Sequence, residues 1–472
     1  MYITEADIIN FWVKEGKKKS ESEMIRKLIE LDLIDKVNIM EGQRYYDYDH
    51  DVLYHSFNEY KVNNATLTDE NATNTKLVNN FYKILVDQKV AYILGNKITY
   101  VTEEKEVKKI LDKAFTEELD DMLYDWAVGA SNSGKGYLHP FYDSNGLMKI
   151  VQISYKEIIP IYDTRYNKEL KQVIRYYEVE NLEEGNKVTI TYAVEWWTEK
   201  EVRIYEQTGE GNFRRVETRA HYEEYKDTEP EQKESKSWGR VPFVELRNNS
   251  GAIADIKAVK TLIDDFNINT SELSNTLQSI QEAVMVLRGY DGTDLSEFRK
   301  NLKTFKVIKV DEDGGAESLT IDIPIEAKEK HLNRLEKNIF ILGQGVDVST
   351  DMIKGEISGV ALKFLFSLLE LKCNALVRKL QKSLKELMYF ILMDAGVETE
   401  REIKFIINFT SVINEKETIE NLVASEVMMS EESKREKHPY IEDVEEEKRR
   451  IESEEKTLKE AGLKPLKVQE IL

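Results

Sequence analysis

A glycine-bearing polar loop held between two helices, the second unusually long, constrains this chain more than any other feature. It lies between Pro324 and Val397. A helix is predicted over 326–342, followed by the loop Gly343-Gln-Gly-Val-Asp-Val-Ser-Thr-Asp-Met-Ile-Lys-Gly-Glu-Ile-Ser-Gly359. An apolar helix then runs from Val360 to about Asp394. At 1.5 Å per residue it extends about 50 Å, far beyond the usual three turns. Phe364, Leu365, Leu368, Leu369, Leu376, Leu380, Leu384, Leu387 and Ile391 recur close to helical spacing. Glycine tolerates backbone angles that other residues avoid, so Gly343, Gly345, Gly355 and Gly359 are expected as hinges of a mobile finger. The loop mixes Asp347, Asp351 and Glu356 with Lys354. A plain solvent loop is the bland reading, and a contact loop or lever the functional one.

The rest of the chain divides by periodicity. The first 40 residues are predicted helical, with Lys17-Lys18-Lys19 on a solvated face. A tyrosine-rich loop is expected from Gly42 to Asp51, and a helix from Asn74 to Leu94 that Gly95 ends. From Gly136 to about Gln207 the pattern turns to strands, with Asp143-Ser-Asn-Gly146 as a hairpin turn. Glu223–Ser237 is polar and charge-rich, and is predicted as a mobile loop. A long helix follows from Ala252 to about Glu282. Then comes a compact insert: a strand at 284–287, a helix at 294–303, and strands at 305–310 and 318–323. Two long helices bracketing this insert suggest a stalk with a module at its tip. The tail from Asn414 is dense in Glu, Lys and Arg and is expected to be helical. The fold class is therefore α+β, mainly helical.

Composition excludes several functions. The chain has 472 residues and a net charge of −21, which argues against a basic nucleic-acid-binding surface. Cys373 stands alone within the long helix, so no intramolecular disulfide is available and a buried thiol is expected. No charged segment followed by an apolar run opens the sequence, so no signal peptide is predicted. Lys363, Glu370, Lys372, Arg378 and Lys379 interrupt the long helix and leave no membrane-crossing span.

Three motifs imitate chemistry. Gly129-Ala-Ser-Asn-Ser-Gly134-Lys135 matches phosphate-loop spacing, but Gly136 replaces the magnesium-holding hydroxyl. A helix precedes it and a strand follows, the reverse of what a phosphate cradle needs, so a helix-to-strand loop is expected. Asp47-Tyr-Asp49-His-Asp51 imitates a calcium loop but lacks its glycine and its closing glutamate. His50, His55, His139, His221, His331 and His438 lie in unrelated segments with no zinc spacing. No catalytic residue, metal site or cofactor is predicted, and the expectation is a protein that is not an enzyme.

Four segments, taken together, resemble the portal proteins (head-to-tail connectors) of long-tailed double-stranded DNA bacteriophages, in the family common among phages of Gram-positive hosts. They are Arg44-Tyr-Tyr through His50-Asp51-Val-Leu, Asn79-Asn-Phe-Tyr-Lys-Ile-Leu-Val-Asp-Gln-Lys-Val90 to Gly95, Gly239-Arg-Val-Pro-Phe-Val-Glu-Leu-Arg-Asn-Asn249, and the helix–loop–helix at 326–394. Lys97 stands where that family usually has proline, and the tail after about 410 adds nothing to the match.

The resemblance implies a ring of about twelve subunits at one capsid vertex, through which DNA is packaged and ejected. By position, 1–250 would be the wing, 251–283 the first stem helix, 284–325 the clip and 326–342 the second stem helix. Residues 343–359 would be the tunnel loop, 360–395 the long wing helix and 396–472 a helical crown. Asp347, Asp351, Lys354 and Glu356 would face DNA. The implied partners are the terminase packaging motor, a head-tail adaptor, and the major capsid and scaffolding proteins, with no membrane. The implied location is the virion, after assembly in the host cytoplasm. A ring-forming adaptor that never conducts DNA, or a P-loop enzyme, would be the alternatives.

Overall fold

Capping chemistry and long-range hydrogen bonds, more than hydrophobic spacing, set where the helices begin. The computed structural model describes residues 3–8, 20–62, 65–70, 72–164, 168–183, 187–208, 211–226, 229–280, 284–288, 315–319, 324–347 and 359–410. In the tail it describes 419, 423–425, 429–436, 438, 441 and 444–460. After the short strand β1 (Ile3–Thr4), helix α1 (Glu21–Tyr46) opens with a capping box. The Ser20 hydroxyl accepts from the Glu23 amide, and the Glu23 carboxylate accepts from the Ser20 amide. The helix continues through Tyr46, so the first half of the tyrosine-rich stretch expected as a loop is helical. A hairpin, β2 (Glu59–Val62) and β3 (Ala65–Thr68), precedes helix α2 (Phe81–Leu94). This helix starts at the Asn80 cap, well after the predicted Asn74. It buries a wide face, through Tyr82, Leu85, Val86, Lys89, Val90, Tyr92 and Ile93, and leaves Ile84 and Ala91 exposed on the other side.

Strand β4 (Thr99–Val101) leads to α3 (Lys105–Ala114) and α4 (Glu117–Ser133), which pack with α2 in the main core. The β-rich part is longer than predicted. β5 (Lys135–Tyr142) and β6 (Met148–Ile153) form a hairpin. A meander follows: β7 (Ile158–Tyr162), β8 (Leu170–Glu183), β9 (Lys187–Trp197), β10 (Glu201–Thr208) and β11 (Asn212–Ala220). With β1 parallel to β7, these make a six-stranded sheet. Met24, Ile25 and Leu28 of α1 pack on its Ile159, Ile174, Val194 and Trp196. The segment predicted as a mobile loop at 223–237 is instead a hairpin, β12 (Tyr222–Lys226) with β13 (Glu229–Lys236). β14 (Val244–Arg247) adds to β5.

Helix α5 (Lys260–Ile280) begins at Lys260 rather than Ala252, because 255–258 form a 3-10 turn. Of the insert, β15 (Val284–Arg288) pairs antiparallel with β16 (Gly315–Leu319). The helix predicted at 294–303 and the strand at 305–310 lie outside the described residues. Helix α6 (Ile325–Gly343) packs along α5, with His331 bonded to Asp265 at 3.0 Å and Lys328 paired with Glu272 at 3.7 Å. Helix α7 (Gly359–Asp394) matches the predicted long helix almost residue for residue. β17 (Lys404–Ile406) then pairs with β4, so the first residues of the segment assigned to the crown pack back on the body. The described tail contains α8 (Glu431–Glu436) and α9 (Val444–Glu460).

One feature of α5 explains the late start of α2. Asn267, Ser271 and Asn275 fall on one helical face and are buried. Asn267 Oδ1 accepts from the Asn79 amide at 2.8 Å, and Ser271 Oγ from the Leu77 amide at 2.9 Å. Asn275 accepts from the Thr75 amide at 2.8 Å and donates to the Thr75 carbonyl at 3.0 Å. Alternate residues of an extended segment are thus held as if by a neighbouring strand, and Leu77 cannot join a helix. Replacing Asn275 by Ala leaves both Thr75 groups without these partners, at a cost of about 1–3 kcal/mol. Hydrogen exchange should speed up at 73–79 first; unchanged protection there would refute this account.

Candidate functional site

The candidate site is the root of the loop between α6 and α7. Helix α6 ends in a left-handed cap at Gln344, with φ 55° and ψ 40°. The Gln344 amide donates to the Ile341 carbonyl at 3.2 Å and the Gly345 amide to the Phe340 carbonyl at 2.9 Å, satisfying carbonyls that a helix end leaves open. Glycine usually takes the left-handed position; here Gln344 does, between two glycines with ordinary φ. Those glycines answer a different demand. A Cβ at Gly343 or Gly345 would collide with the side chain of Leu85 on α2. Their expected freedom as hinges is therefore accompanied by tight packing at the root.

Gln88 of α2 completes the anchorage. Its Nε2 donates to the Val346 carbonyl at 2.8 Å while its Oε1 accepts from the Val346 amide at 3.0 Å. One side-chain amide thus imitates a strand partner, and Val346 is buried beside it. Asp347 follows, half-buried. Burial, and then the Asp347 charge, push the Glu336 carboxyl of α6 above its ordinary range. Asp351, Lys354, Gly355 and Glu356 lie outside the described residues, and Gly359 is the first residue of α7.

Beneath the root lies a buried charge cluster. Lys372 of α7 donates to the Gly343 carbonyl at 2.9 Å and pairs with Asp255 at 3.1 Å. Lys89 of α2, 1% exposed, pairs with the same carboxylate at 3.0 Å and donates to Ser131 Oγ at 3.0 Å and to Asn248 Oδ1. Asn248 Nδ2 donates to the second Asp255 oxygen at 2.8 Å. Burial alone would raise the Asp255 carboxyl. The Lys372 and Lys89 charges, with hydrogen bonds from Asn248 and Lys89, reverse that and hold it well below the carboxylate range. Burial pushes the Lys89 ammonium down against the pull of Asp255. Cys373, its Sγ 3.7 Å from the Lys89 carbonyl, is buried and its thiol is pushed up to about 12, chiefly by burial. Further along α7, Ser383 Oγ donates to the Glu245 carbonyl at 2.6 Å and fastens the helix to β14.

The motifs that imitate chemistry have structural uses. Residues 129–133 are the last turn of α4 rather than a loop, and Gly134, at φ 84°, ends the helix. Lys135 opens β5 and donates to the Tyr162 hydroxyl at 3.0 Å. The glycines therefore meet a helix C-terminus, which repels phosphate. Asp49 and Asp51 pair with Arg44, and Asp51 also with Lys260. His50 is buried between the Tyr45 carbonyl and Asn267. Among the described residues no group of His, Cys, Asp and Glu is arranged to hold a metal, and no helix is long and apolar enough to cross a membrane.

Gln88, Lys89, Asp255 and Lys372 were not singled out as site residues from sequence. The available signal was that Lys89 lies four residues from both Leu85 and Ile93, and Lys372 three from Leu369 and four from Leu376, so each falls on the apolar side of its helix, a placement that demands a buried partner. An unfolded aspartate titrates near about 3.9. The folded Asp255 value lies below this, so its pairing stabilises the fold above about pH 4, and that contribution is lost as pH falls through the folded value. Asp255→Ala strands two ammoniums and should cost about 3–5 kcal/mol at neutral pH. It should also flatten the acid dependence of the urea midpoint. A wild-type midpoint at pH 7 would rule this out.

Comparison with known proteins is consistent along nearly the whole chain. Residues 26–461 match the family model described as phage portal protein, SPP1 Gp6-like. The portal protein of Bacillus phage SPP1 is 30% identical over 468 residues, covering 96% of this chain and 90% of that protein. The portal protein of Clostridium phage phiCD119 is 30% identical over 442 residues, covering 90% and 94%. Among solved structures, a chain from the neck of a native GTA particle, computed with C12 symmetry, aligns over 75% of this chain and 86% of its own. Its TM-score is 0.39 at 10% identity, a likeness too distant to speak to architecture.

Proposed function

The chain belongs to the SPP1 Gp6-like family of phage portal proteins, and we propose how its parts serve that family's role. Its copies form the ring-shaped channel at the unique capsid vertex through which double-stranded DNA is packaged and ejected, the platform for the packaging motor and the tail connector. The family is structural rather than enzymatic, and its members are virion components. The observation that carries this conclusion is the match over residues 26–461, which includes both helices of the loop and the segments that anchor it.

Within that role, residues 1–250 are assigned to the wing, 251–283 and 326–342 to the stem, 284–325 to the clip, 360–395 to the long wing helix and 396–472 to the crown. The ring has about twelve subunits. The clip would meet the terminase motor and then the head-tail adaptor, and the outer wing the capsid and scaffolding proteins. Residues 343–359 are the tunnel loop. We assign Gly343, Gly345, Gly355 and Gly359 as the hinges of that loop. Gly343 and Gly345 would set the point of departure.

Asp347, Asp351 and Glu356 would face the DNA and repel it weakly, with Lys354 making passing phosphate contacts. Duplex DNA carries about one charge per 1.7 Å, so a basic constriction would grip it. Repulsion screened within about 8 Å centres a duplex without resisting its movement along the axis.

Electron microscopy of the purified full-length protein should show rings with a central bore wide enough for a duplex. Substituting Asp347, Asp351 and Glu356 together by Lys should leave the rings intact and lower the packaged DNA by about tenfold or more, most severely at low salt. Unimpaired packaging in that variant would contradict the assignment of these acids to the bore.

A further inference from the structure

We propose that the solvent-facing seam of α7 is the surface on which each subunit receives the next copy, its cationic half meeting the acidic row of that copy's α4. This rests on the ring reading above and specifies which faces meet.

The seam is a regular feature of the sequence that burial singles out. Phe364, Leu368, Leu371, Ala375, Arg378, Lys382 and Lys385 are separated by alternating steps of four and three, and all are exposed. Phe364 is 75% exposed and Leu371 63%. Such spacing keeps one line of side chains facing a single neighbour along several turns. The opposite side, through Leu369, Cys373, Leu376 and Leu380, is committed to the subunit core. The exposed seam is apolar over its first half and cationic over its second. Among the described residues Arg378 and Lys385 make no ion pair, and Lys382 has only Glu386 at 3.7 Å. On a chain of net charge −21, a contiguous cationic line is electrostatically complementary to an anionic partner surface.

The chain itself supplies that partner. Glu117, Asp121 and Asp125 lie at successive i, i+4 positions on α4, with Glu118 beside them; all four are exposed and make no ion pair. Acids in the first turn are expected, since they suit a helix N-terminus. Asp121 and Asp125 lie beyond that turn. They sit close enough that, after burial, Asp121 is what holds the Asp125 carboxyl above its ordinary range. Repulsion of this kind costs stability in the isolated subunit and is relieved by a cationic neighbour.

The two rows sit on separate helices around one core. Helix α2 buries the face formed by Tyr82, Leu85, Val86, Lys89, Val90 and Ile93, with α4 and α7 both packed against it. Each turns its apolar side toward the shared core and leaves its charged row exposed. A closed ring of identical subunits uses two different, complementary patches per subunit, and these two rows are different and opposite in charge.

The test uses two full-length variants, one carrying Arg378→Glu, Lys382→Glu and Lys385→Glu, the other Glu117→Lys, Asp121→Lys and Asp125→Lys. Circular dichroism and thermal unfolding verify that each monomer folds. Native mass spectrometry and sedimentation then read assembly. Each variant alone should lose rings by at least tenfold relative to wild type. Mixing the two, or combining all six substitutions in one chain, should restore association. In the mixture the variants should alternate around the ring. Either variant closing rings as wild type does would overturn the proposal. So would intact rings from the α7 variant with altered DNA retention, which would assign the seam to the channel wall. Absence of any association specific to the mixture would also overturn it. Wild-type rings without a duplex-wide bore would instead sink the channel reading and leave the seam standing.

Discussion

Asp255, held between Lys89 and Lys372, is the contact on which the placement of the loop depends. Lys89 comes from the buried face of α2, Lys372 from α7, and Asp255 from the turn that leads into α5. One carboxylate therefore locks three elements that are far apart in sequence. The cluster is costly to desolvate and is stable because its groups are satisfied: Asn248 bonds the second carboxylate oxygen, Ser131 Oγ accepts a hydrogen bond from Lys89, and Lys372 also closes the end of α6. Apolar side chains of similar size would fill the space, but they would not fix the register of α7 against α6. Without that register the two ends of the loop could not be set relative to each other.

The same arrangement separates a rigid base from the segment that follows. Leu85 forces glycine at 343 and 345, Gln88 grips Val346 on both sides of its peptide unit, and Gln344 accepts the left-handed backbone between them. A left-handed non-glycine residue costs roughly 1 kcal/mol or more, so the cap persists only because its surroundings over-determine it. Force applied to the loop would be passed to α2 and α7 rather than absorbed at the cap.

The long helix was legible because its apolar spacing persists over many turns, and nothing else explains such a run. The α5–α6 pair and the meander were legible for similar reasons, through helical and alternating periods. Two of the misreadings share a physical cause: backbone or side-chain groups taken by partners remote in sequence. Leu77 and Val78 have helical spacing, yet the amides around them belong to Asn267, Ser271 and Asn275. The 222–236 hairpin is charged on both faces, so no alternation marks it. The tyrosines at 45 and 46 extend α1 because Tyr45 is buried under Asp264 and Lys260, residues more than two hundred positions away. Of the candidate site, the loop and its glycines were visible in the sequence. The reason for two of those glycines was not, since it resides in Leu85.

Charge is distributed so that assembly and passage make opposite demands on the same chain. Subunits of net charge −21 repel one another at a distance, and so does the DNA they are to conduct. That repulsion decays within about 8 Å at physiological salt, whereas paired groups in contact are screened far less. A ring can therefore be closed by local complementarity while its total charge stays strongly negative. The cationic residues of α7 serve assembly only if they are covered; left facing the bore, Arg378, Lys382 and Lys385 would bind the phosphate backbone and oppose sliding. Their placement beyond the apolar half of the seam, away from the loop end of the helix, fits coverage by a neighbour, and under the proposed assignment the loop's Asp347, Asp351 and Glu356 are left to meet the DNA.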